Sequence, residues 1–294
     1  MTEIEVDGRA IALSSQERVL FPETGLTKGD VVEYFARIAP RMLPYLQGRP
    51  LNLERYRKAV TEKGAGFLQQ HASDHFPGWV SSVEVPKHGG TVRHVIADDA
   101  ASLVYLANQG ALTFHGWSSR LPDLDHPDRL VIDLDPATDD FRDVKRAARH
   151  VHKVLDDLGL EGFPMTSGSR GVHVIVPLDG SQGWKPVWDF GKRIQAAIVE
   201  RDPQRLTGEF LKENRDERLY VDLGRTRYAH TAVMPYSVRG RPEAPVAAPL
   251  EWGELPRIDS ARKFTLVNLF RRLGSRGADP WDGYEGARRP LPQA

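Results

Sequence analysis

Apolar, strand-like stretches alternate with amphipathic, helix-like stretches through the middle of the chain, and this alternation limits the fold most strongly. The segment RLVIDLD (129–135) is a short apolar run typical of a buried strand. Residues 139–160 then show helical spacing, which Gly159 closes. The apolar stripe of that helix is Phe141, Val144, Ala148, Val151, Leu155 and Leu158. Strand-like segments at 172–178 and 218–224, with a helix-like segment at 185–201, continue the pattern, which predicts an α/β or α+β fold.

A further helix is predicted near the N-terminus. Thr27 and Asp30 have the spacing of a capping box, in which each side chain accepts a backbone N–H at the start of a helix. Apolar residues at helical spacing follow. Pro40 is expected to end the helix soon afterwards, because proline lacks the N–H donor that a helix interior uses.

The segment 120–128 is rich in proline and aspartate and is the expected boundary between two interlocked lobes. We predict an N-terminal lobe over residues 1–120 and a second lobe over residues 121–262, which contains Asp133, Asp135 and Asp222. Residues 263–294 are predicted to form a C-terminal helix and a loose tail.

The amino-acid composition excludes several classes of protein and of functional site. The chain has 294 residues, of which 40% are hydrophobic, so it can bury a sizeable core. It has no cysteine, which excludes a disulfide scaffold, Cys-ligated zinc and a thiol nucleophile. No stretch approaches the roughly 18 apolar residues of a membrane span, and no signal-peptide pattern is present. We therefore expect a cytoplasmic protein without membrane contact.

Charge is balanced overall but unevenly distributed. The 40 basic and 40 acidic residues cancel, yet aspartates concentrate over 123–143, and 223–242 carries arginines without any acid. An acidic cluster and a basic stretch suit a site that holds metal ions and polyphosphate together. The alternative is two solvated patches of opposite sign.

Two aspartates lie two residues apart on the strand at 129–135. Side chains two apart on a strand share a face, so Asp133 and Asp135 are expected on one face with Cα atoms about 6–7 Å apart. Such carboxylates repel one another, and Mg²⁺ or Mn²⁺, which prefer oxygen ligands, would remove the conflict. Asp222, on another apolar strand, offers a third carboxylate for a two-metal site. The alternative is acids that are solvated or paired with arginines.

A Gly/Ser-rich turn, TSGSRG (166–171), leads into the strand at 172–178. Ser167, Ser169 and Arg170 offer donors for a phosphate, and the glycines permit close backbone approach. The turn is not a Walker A motif, because it lacks GxxxxGK[ST] and precedes a strand. The alternative is an ordinary turn.

Other candidate residues are weaker when taken alone. His115 follows a strand-like segment, but no GxSxG nucleophile motif or HExxH motif accompanies it. Phe67 has an aromatic ring that could stack on a base, although a core position is equally compatible with the pattern.

Seven motifs in a fixed order resemble the polymerase domain of bacterial ligase D and its stand-alone relatives, in the archaeo-eukaryotic primase superfamily. The motifs are VLFPETGLTKGDVVEYFARIAPRMLPYLQGRPLNLERY, GFLQQHA, ALTFHGWSSR, RLVIDLDP, TSGSRGVHVIVPL, LYVDLG and TAVMPYSVRGRPEAPVAAPLEWGEL. The resemblance implies a primase-polymerase core with central β-sheets flanked by helices. It also implies a metal-dependent nucleotidyltransferase that extends a DNA primer, commonly with ribonucleotides and Mn²⁺.

The resemblance implies roles for individual residues. It implies a two-metal site formed by Asp133, Asp135 and Asp222. Together with the hydrogen-bond donors of the Gly/Ser turn, it implies that the nucleotide-binding residues are His115, Ser167, Ser169, Arg170, Arg225 and Arg239. The DNA contacts are Arg18, Lys28, Arg55 and Phe67, with the first two at a downstream 5′-phosphate and Phe67 against the template.

The chain departs from the family pattern at template and ribose contacts. Leu68 stands where a second aromatic is usual, Gln70 and Glu54 where basic residues are common, and Arg225 where a glutamine is usual. The preference for ribose or deoxyribose and the ability to bridge DNA ends therefore stay open. No K-x-D-G ligase motif is present in the sequence, so nick sealing by this chain is not expected.

We therefore expect a gap-filling polymerase of DNA break repair that binds DNA ends or gaps and NTP or dNTP, at the bacterial nucleoid. A separate DNA ligase and an end-binding protein are its expected partners. One alternative is a catalytically weak module that binds DNA ends and positions them for a ligase. Another is a metal-dependent phosphoesterase, which the paired phosphate-binding segments fit less well.

Overall fold

A computed structural model of the chain describes residues 2–61, 66–87, 89–275 and 277–292. The helices are α1 (Lys28–Leu46), α2 (Ala100–Asn108), α3 (Phe141–Asp157), α4 (Trp184–Arg201) and α5 (Leu269–Gly274). The strands are β1 (Thr2–Val6), β2 (Arg9–Leu13), β3 (Val19–Phe21), β4 (Leu26–Thr27), β5 (Leu51–Tyr56), β6 (Gly66–Gln69), β7 (Ser82–Lys87), β8 (Gly90–Val95), β9 (Ala111–Trp117), β10 (Arg129–Asp135), β11 (Phe163–Thr166), β12 (Val172–Pro177), β13 (Leu206–Thr207), β14 (Leu219–Asp222) and β15 (Thr231–Val233). The predicted mixed α/β fold with sheets flanked by helices is confirmed.

The chain forms two compact units, each assembled from separate stretches of sequence. Unit 1 comprises Met1–Trp117, Val233–Ala247 and Thr265–Arg272. Unit 2 comprises Ser118–Ala232, Ala248–Phe264 and Leu273–Ala294. Among the described residues, no helix is both long and apolar enough to cross a membrane.

Unit 1 is organised around β5, which pairs with β9, β8 and β6 in a sheet of order β15-β9-β5-β8-β7. The chain enters this unit again at Val233, the last residue of β15. Helix α1 lies against the sheet, where Phe35 meets Phe114 of β9 edge-on at a centroid distance of 5.3 Å. This contact anchors the helix on the strand that carries His115.

Helix α1 begins as its sequence predicts but continues further. The capping box is present, with Thr27 accepting from the N–H of Asp30 and Asp30 accepting from the N–H of Thr27. The expectation that Pro40 ends the helix is wrong, since the helix runs to Leu46. The helix contains both Pro40 and Pro44, and each proline inside a helix costs about 3 kcal/mol. The part of the helix after Pro40 buries Met42, Tyr45 and Leu46, and each buried side chain of that size contributes about 1.5–3 kcal/mol, which is comparable with the cost.

Unit 2 contains a five-stranded sheet of order β11-β12-β10-β14-β13, with β10 in the middle. Both neighbours of β10 run antiparallel to it. Helices α3 and α4 pack on one face of this sheet and form a continuous apolar core with it. The core side chains include Leu130, Ile132 and Leu134 of β10, Val172, Val174 and Val176 of β12, Val144, Ala148, Val151 and Leu155 of α3, and Val187, Ile194 and Ile198 of α4.

The amphipathic pattern of α3 is confirmed except at its end. Leu158 was expected in the buried stripe, but it lies past the last helical residue and is 39% exposed. Gly159 follows with φ +67°, the left-handed conformation that commonly terminates helices. Because α3 and α4 bury the face of β10 that carries Leu130, Ile132 and Leu134, the aspartates of β10 lie on the opposite face.

Candidate active site

A row of polar side chains crosses three strands of the unit 2 sheet. Asp133 of β10 is directly opposite His173 of β12 on one side and Asp222 of β14 on the other. Directly opposed residues on neighbouring strands point to the same face. Asp135 lies two residues along β10, opposite Tyr220 of β14, and therefore shares that face. The sheet thus brings the predicted Asp133, Asp135 and Asp222 together on one face.

Asp133 is held by two cationic or potentially cationic partners. Its Oδ1 lies 3.3 Å from Nε2 of His173, and its Oδ2 lies 3.5 Å from Nε of Arg225. Burial by itself would raise the pKa of this carboxyl, but His173 and Arg225 outweigh that effect and hold the pKa below its usual value. Asp133 is therefore an ionised carboxylate in a mostly buried place.

Asp135 has the opposite electrostatic character. Burial and the neighbouring charge of Asp133 raise its pKa, and the guanidinium groups of Arg170 and Arg215 only partly compensate. Nη1 of Arg215 lies 3.5 Å from Oδ2 of Asp135, and the same guanidinium lies over the ring of Tyr220 at 4.0 Å. Arg215 therefore acts as a local counter-ion for a site with excess negative charge.

Asp222 ends strand β14 and shapes the turn after it. Its Oδ1 accepts a hydrogen bond from the N–H of Gly224 at 2.6 Å. Burial, together with the charge of Asp222 and a hydrogen bond to it, raises the pKa of Tyr220 to about 12. The turn that Asp222 initiates carries Arg225 back to Asp133, and Thr226 donates to and accepts from the backbone of Val131.

The donor set on this face suits a hard divalent cation. Carboxylate oxygens are the ligands that Mg²⁺ and Mn²⁺ prefer, and the raised pKa of Asp135 reflects negative charge that such a cation would neutralise. Within the described ranges, no three His, Cys, Asp or Glu side chains are close enough to form a metal site as they stand. The carboxylates are instead directed at Arg225, Arg215 and Gly224. The residue types therefore fit a metal, with arginines paired to Asp133 and Asp135 in this conformation.

The Gly/Ser turn is a tightly closed loop beside the aspartates. The hydroxyl of Ser167 accepts from the N–H groups of Ser169 and Gly171, both at 3.2 Å, and the N–H of Ser167 donates to the carbonyl of Gly171. A Cβ at Gly171 would lie 2.0 Å from the carbonyl oxygen of Leu134. Glycine is therefore required for the turn to pack against β10 between its two aspartates.

Arg170 extends from this turn toward the end of β10. It donates to the carbonyl of Pro136, and its Nε lies 4.0 Å from Asp139. Its charge also acts on Asp135. Arg262 supports the turn by donating to the carbonyl of Ser169 at 3.1 Å. The predicted residues Ser167, Ser169, Arg170 and Arg225 thus all lie with the three aspartates in unit 2.

A second polar cluster lies in unit 1, around His115. Nε2 of His115 lies 3.8 Å from Oε2 of Glu54 on the neighbouring strand β5. The hydroxyl of Tyr56 donates to Oε1 of Glu54 at 2.6 Å. The hydrogen bond from His115 is the largest effect on Glu54 and lowers its pKa to about 2. Burial opposes this shift, whereas Tyr56 and Arg239 add to it. Glu54 is therefore an ionised anchor for His115.

The predicted Arg239 belongs to the same cluster. Its charge acts on both Glu54 and Tyr56. Its backbone N–H donates to the carbonyl of Pro245 at 2.7 Å, which fixes the segment that follows β15. A Cβ at Gly240 would lie 1.8 Å from the hydroxyl of Tyr56, so this segment can approach Tyr56 only with glycine there.

Two predicted DNA contacts, Arg18 and Lys28, lie near one another in unit 1. The ammonium group of Lys28 donates to the backbone and hydroxyl of Ser14. Burial and the charge of Arg18 lower the pKa of Lys28 to about 8. Arg18 itself donates to the carbonyl of Arg57 at 2.9 Å. The pair places two positive charges close together, although Lys28 is only 2% exposed and its ammonium group is bonded to Ser14.

Arg55 and Phe67, the other predicted DNA contacts, face each other across β5 and β6. Arg55 donates to the carbonyl of Gln109 and to the side chain of Gln69. The guanidinium groups of Arg55 and Arg57 lie 5.6 and 5.0 Å from the ring centre of Phe67. Phe67 is 37% exposed, so it is a surface aromatic ring flanked by positive charge rather than a core residue.

Sequence reasoning missed several residues that the structure places in these clusters. His173 lies on the strand-like segment 172–178, but its position opposite Asp133 follows only from the strand pairing. Arg215 comes from an irregular segment before β14, where no periodicity marks it. Glu54 was noted as a departure from the family pattern, and its alternation with Tyr56 on β5 was the one available signal for a shared face.

Comparison with known proteins gives consistent similarities. The sequence pattern of the "LigD, primase-polymerase domain" family matches residues 27–281. The multifunctional non-homologous end joining protein LigD of Pseudomonas aeruginosa is 32% identical over 287 residues, which are 97% of this chain and 34% of that protein. The multifunctional non-homologous end joining DNA repair protein LigD of Mycobacterium tuberculosis is 33% identical over 254 residues, which are 83% of this chain and 33% of that protein.

A solved structure of a ligase D polymerase domain is also similar to this chain. The polymerase domain from Mycobacterium tuberculosis ligase D, in complex with DNA, matches with a TM-score of 0.87 and 30% sequence identity. The match covers 95% of this chain and 99% of that chain. The chain spans about a third of the length of the mycobacterial and Pseudomonas relatives.

Proposed function

Because this chain belongs to the LigD primase-polymerase domain family, we propose that it is a metal-dependent nucleotidyltransferase that extends a DNA primer. The observation that carries the proposal is the row of Asp133, His173 and Asp222, with Asp135 beside it and the closed Gly/Ser turn next to it. Carboxylates next to a backbone turn with an arginine are what phosphoryl transfer from a nucleoside triphosphate requires.

Asp133, Asp135 and Asp222 would hold two Mn²⁺ or Mg²⁺ ions. Bound there, such ions would supply the charge that lowers the pKa of the primer 3′-hydroxyl and stabilises the pyrophosphate leaving group. His173 and Arg225 keep Asp133 ionised and oriented, so that it is ready to act as a ligand. Arg215 would leave Asp135 when a cation takes over its role as counter-ion.

The turn at 166–171 would bind the triphosphate. Arg170 and Arg225 provide guanidinium groups for its oxygens, and the hydroxyls of Ser167 and Ser169 add hydrogen bonds. Ser167 also holds the turn in shape by accepting two backbone N–H bonds, so a substitution there would affect both the contact and the loop.

In unit 1, His115 and Arg239 would contact the nucleotide, with Glu54 and Tyr56 orienting them. Arg18 and Lys28 would bind the 5′-phosphate on the far side of a gap. Phe67 would stack on the template strand, flanked by Arg55. The proposed substrates are therefore gapped or broken DNA with a 5′-phosphate and an NTP or dNTP, with ribonucleotides accepted.

The proposed setting is non-homologous end joining, at the nucleoid in the cytoplasm. The relatives are named for that pathway and are about three times as long as this chain. A separate DNA ligase and an end-binding protein are the proposed partners, because an extended gap still has to be sealed.

The test is extension of a 5′-phosphorylated gapped duplex, with NTPs and dNTPs compared in Mn²⁺ and in Mg²⁺. We expect Asp133→Ala or Asp135→Ala to abolish incorporation while leaving the fold and much of the DNA binding intact. Asp189→Ala, which removes an exposed aspartate of α4 paired with Lys185, is the matched control and should retain activity. Full activity in either active-site variant would refute the site assignment.

A second candidate function is a DNA-end binding module with weak or no catalysis. The pairing of Asp133 and Asp135 with Arg225 and Arg215 favours it, because salt bridges of this kind could be permanent rather than exchanged for metal. This candidate predicts tight binding to 5′-phosphorylated gapped DNA with no extension in any metal. Extension in Mn²⁺ by the wild-type chain would exclude it.

A further inference from the structure

A cleft of about 510 Å³ lies beside helix α3 in unit 2. Its lining residues are Arg142, Lys145, Arg146, Arg149, His152, Trp252, Leu255 and Pro256. The volume is within the range of sites that bind small molecules or single side groups of larger ligands. One wall is the polar side of α3, and the other is the segment around Trp252.

The α3 wall is strongly basic although the chain as a whole is neutral. Residues 141–155 include five lysines or arginines and one acid. Arg142 and Arg146 pair with Asp140 and Asp143 on the same side of the helix. Arg149 is exposed and makes no hydrogen bond or ion pair within the part of the chain that the structure describes.

The opposite wall is aromatic and apolar. The ring of His152 is stacked on the indole of Trp252, with centroids 4.1 Å apart and planes inclined by 11°. Trp252 is fixed because its Nε1 donates to the carbonyl of Gly162 at 2.7 Å. Lys145 joins the two walls by donating to the carbonyls of Pro256 and Ile258. The cleft is therefore held in shape by side chains that need no ligand.

We propose that this cleft is a binding site for single-stranded nucleic acid, with the backbone phosphates along α3 and a base against the Trp252 wall. Arg142, Arg146 and Arg149 follow one side of the helix over about 10 Å, since each residue advances the helix by about 1.5 Å. Planar guanidinium groups match phosphate geometry, and an aromatic or apolar wall accepts any base.

The cleft is separate from the candidate active site. Helix α3 packs on the face of the unit 2 sheet formed by Leu130, Ile132 and Leu134, whereas Asp133 and Asp135 lie on the other face. The site therefore goes beyond the proposed nucleotidyl transfer, and it would retain an overhanging strand whether or not extension occurs. An acidic peptide is the competing occupant, because guanidinium groups also pair with carboxylates, but it would leave the aromatic wall without a specific use.

The test is the affinity of the full chain for a 5′-fluorescein-labelled dT20 strand, measured by fluorescence anisotropy at several salt concentrations. Arg149→Glu is the main variant, because Arg149 has no structural partner to lose. We expect it to raise the Kd about tenfold and to lower the slope of log affinity against log salt by about 0.7, the value of one phosphate contact with a single strand. Arg193→Glu makes the same charge change at an exposed position of α4 outside the cleft and should change the Kd less than twofold.

The aromatic wall is tested with two substitutions at Trp252. Trp252→Phe keeps a ring and should hold dT20 within about twofold of wild type, and Trp252→Ala should raise the Kd about fivefold or more. Circular dichroism checks that both variants are folded. The proposal is overturned if Arg149→Glu and Arg193→Glu weaken dT20 binding equally. It is also overturned if Arg149→Glu abolishes binding of a fluorescein-labelled Glu-Leu repeat peptide and leaves dT20 binding unchanged, because the cleft would then be a protein-docking site.

Discussion

Gly171→Ala is the most direct test of how the Gly/Ser turn positions the aspartates. A Cβ at this position would lie 2.0 Å from the carbonyl oxygen of Leu134, whereas ordinary contacts begin at 3.4 Å. The obstructing atom is backbone, and Leu134 is fully buried in the unit 2 core. The clash therefore cannot be relieved by rotating a side chain, and either the turn or strand β10 has to move.

The cost follows from this geometry. Forcing extra volume into a packed region typically destabilises a protein by about 1–3 kcal/mol. With about 2–4 °C of Tm per kcal/mol for proteins of this general size, Gly171→Ala should lower Tm by several degrees. Because Leu134 lies between Asp133 and Asp135, any shift of β10 also displaces both carboxylates. Primer extension should therefore fall at temperatures where the variant is still folded.

Differential scanning calorimetry and gap extension at 20 °C would measure the two effects. Gly253→Ala is the matched control, since it lies in the same unit and its Cβ would meet no atom within 4 Å. It should leave Tm unchanged or raise it slightly, because alanine reduces the freedom of the unfolded chain. A Gly171→Ala protein with wild-type Tm and wild-type extension would refute the packing argument.

Three further predictions concern charged groups. Lys28 has a pKa of about 8, so it loses its positive charge as pH rises from 7 toward 9.5. The protein's preference for 5′-phosphorylated over unphosphorylated gapped DNA should therefore shrink over that range, whereas Lys28→Arg should keep the preference. Equal binding ratios for the wild type at both pH values would contradict this. Arg215→Ala removes the counter-ion of Asp135. It should lower the half-saturating Mn²⁺ concentration for extension about twofold to fivefold, the range for a partly exposed ion pair. An unchanged Mn²⁺ titration would show that Arg215 does not compete with metal. Glu54 has a folded pKa of about 2, below its unfolded value of about 4.3, so the stability that it confers is fully present above pH 5 and is lost as pH falls toward 2. Urea unfolding should therefore separate wild type from Glu54→Gln at pH 6 more than at pH 3, and an equal difference at both pH values would exclude the ionised Glu54–His115 contact.

Local patterns predicted the elements of the fold well. The alternation in RLVIDLD placed Asp133 and Asp135 on one face of a strand, and the structure has β10 at those residues with its apolar side in the core. The capping box at Thr27 was also correct, as was the amphipathic stripe of α3 apart from Leu158. The ordered motifs indicated a resemblance to the ligase D polymerase domain, which the family match confirms.

The remaining features depend on contacts between distant residues. The position of His173 opposite Asp133 follows from the antiparallel register of β10 and β12, which periodicity within one strand does not determine. The pairing of Arg215 with Asp135 depends on the path of an irregular segment. Pro40 was misjudged because its local cost is smaller than the burial of the turn that follows, which only tertiary packing provides.

The division of each unit among separate stretches has a consequence for synthesis on the ribosome. Unit 1 receives residues 233–247 and 265–272 only after most of unit 2 has been made. Until then the carbonyl of Phe114 lacks the N–H of Met234, with which it bonds at 2.9 Å in the finished protein. Unit 2 likewise waits for Trp281, whose indole donates to the carbonyl of Pro164. Although domains generally fold in order from the N-terminus during translation, here unit 1 is completed only after residues 265–272 have been made, and unit 2 only after Trp281 has been made.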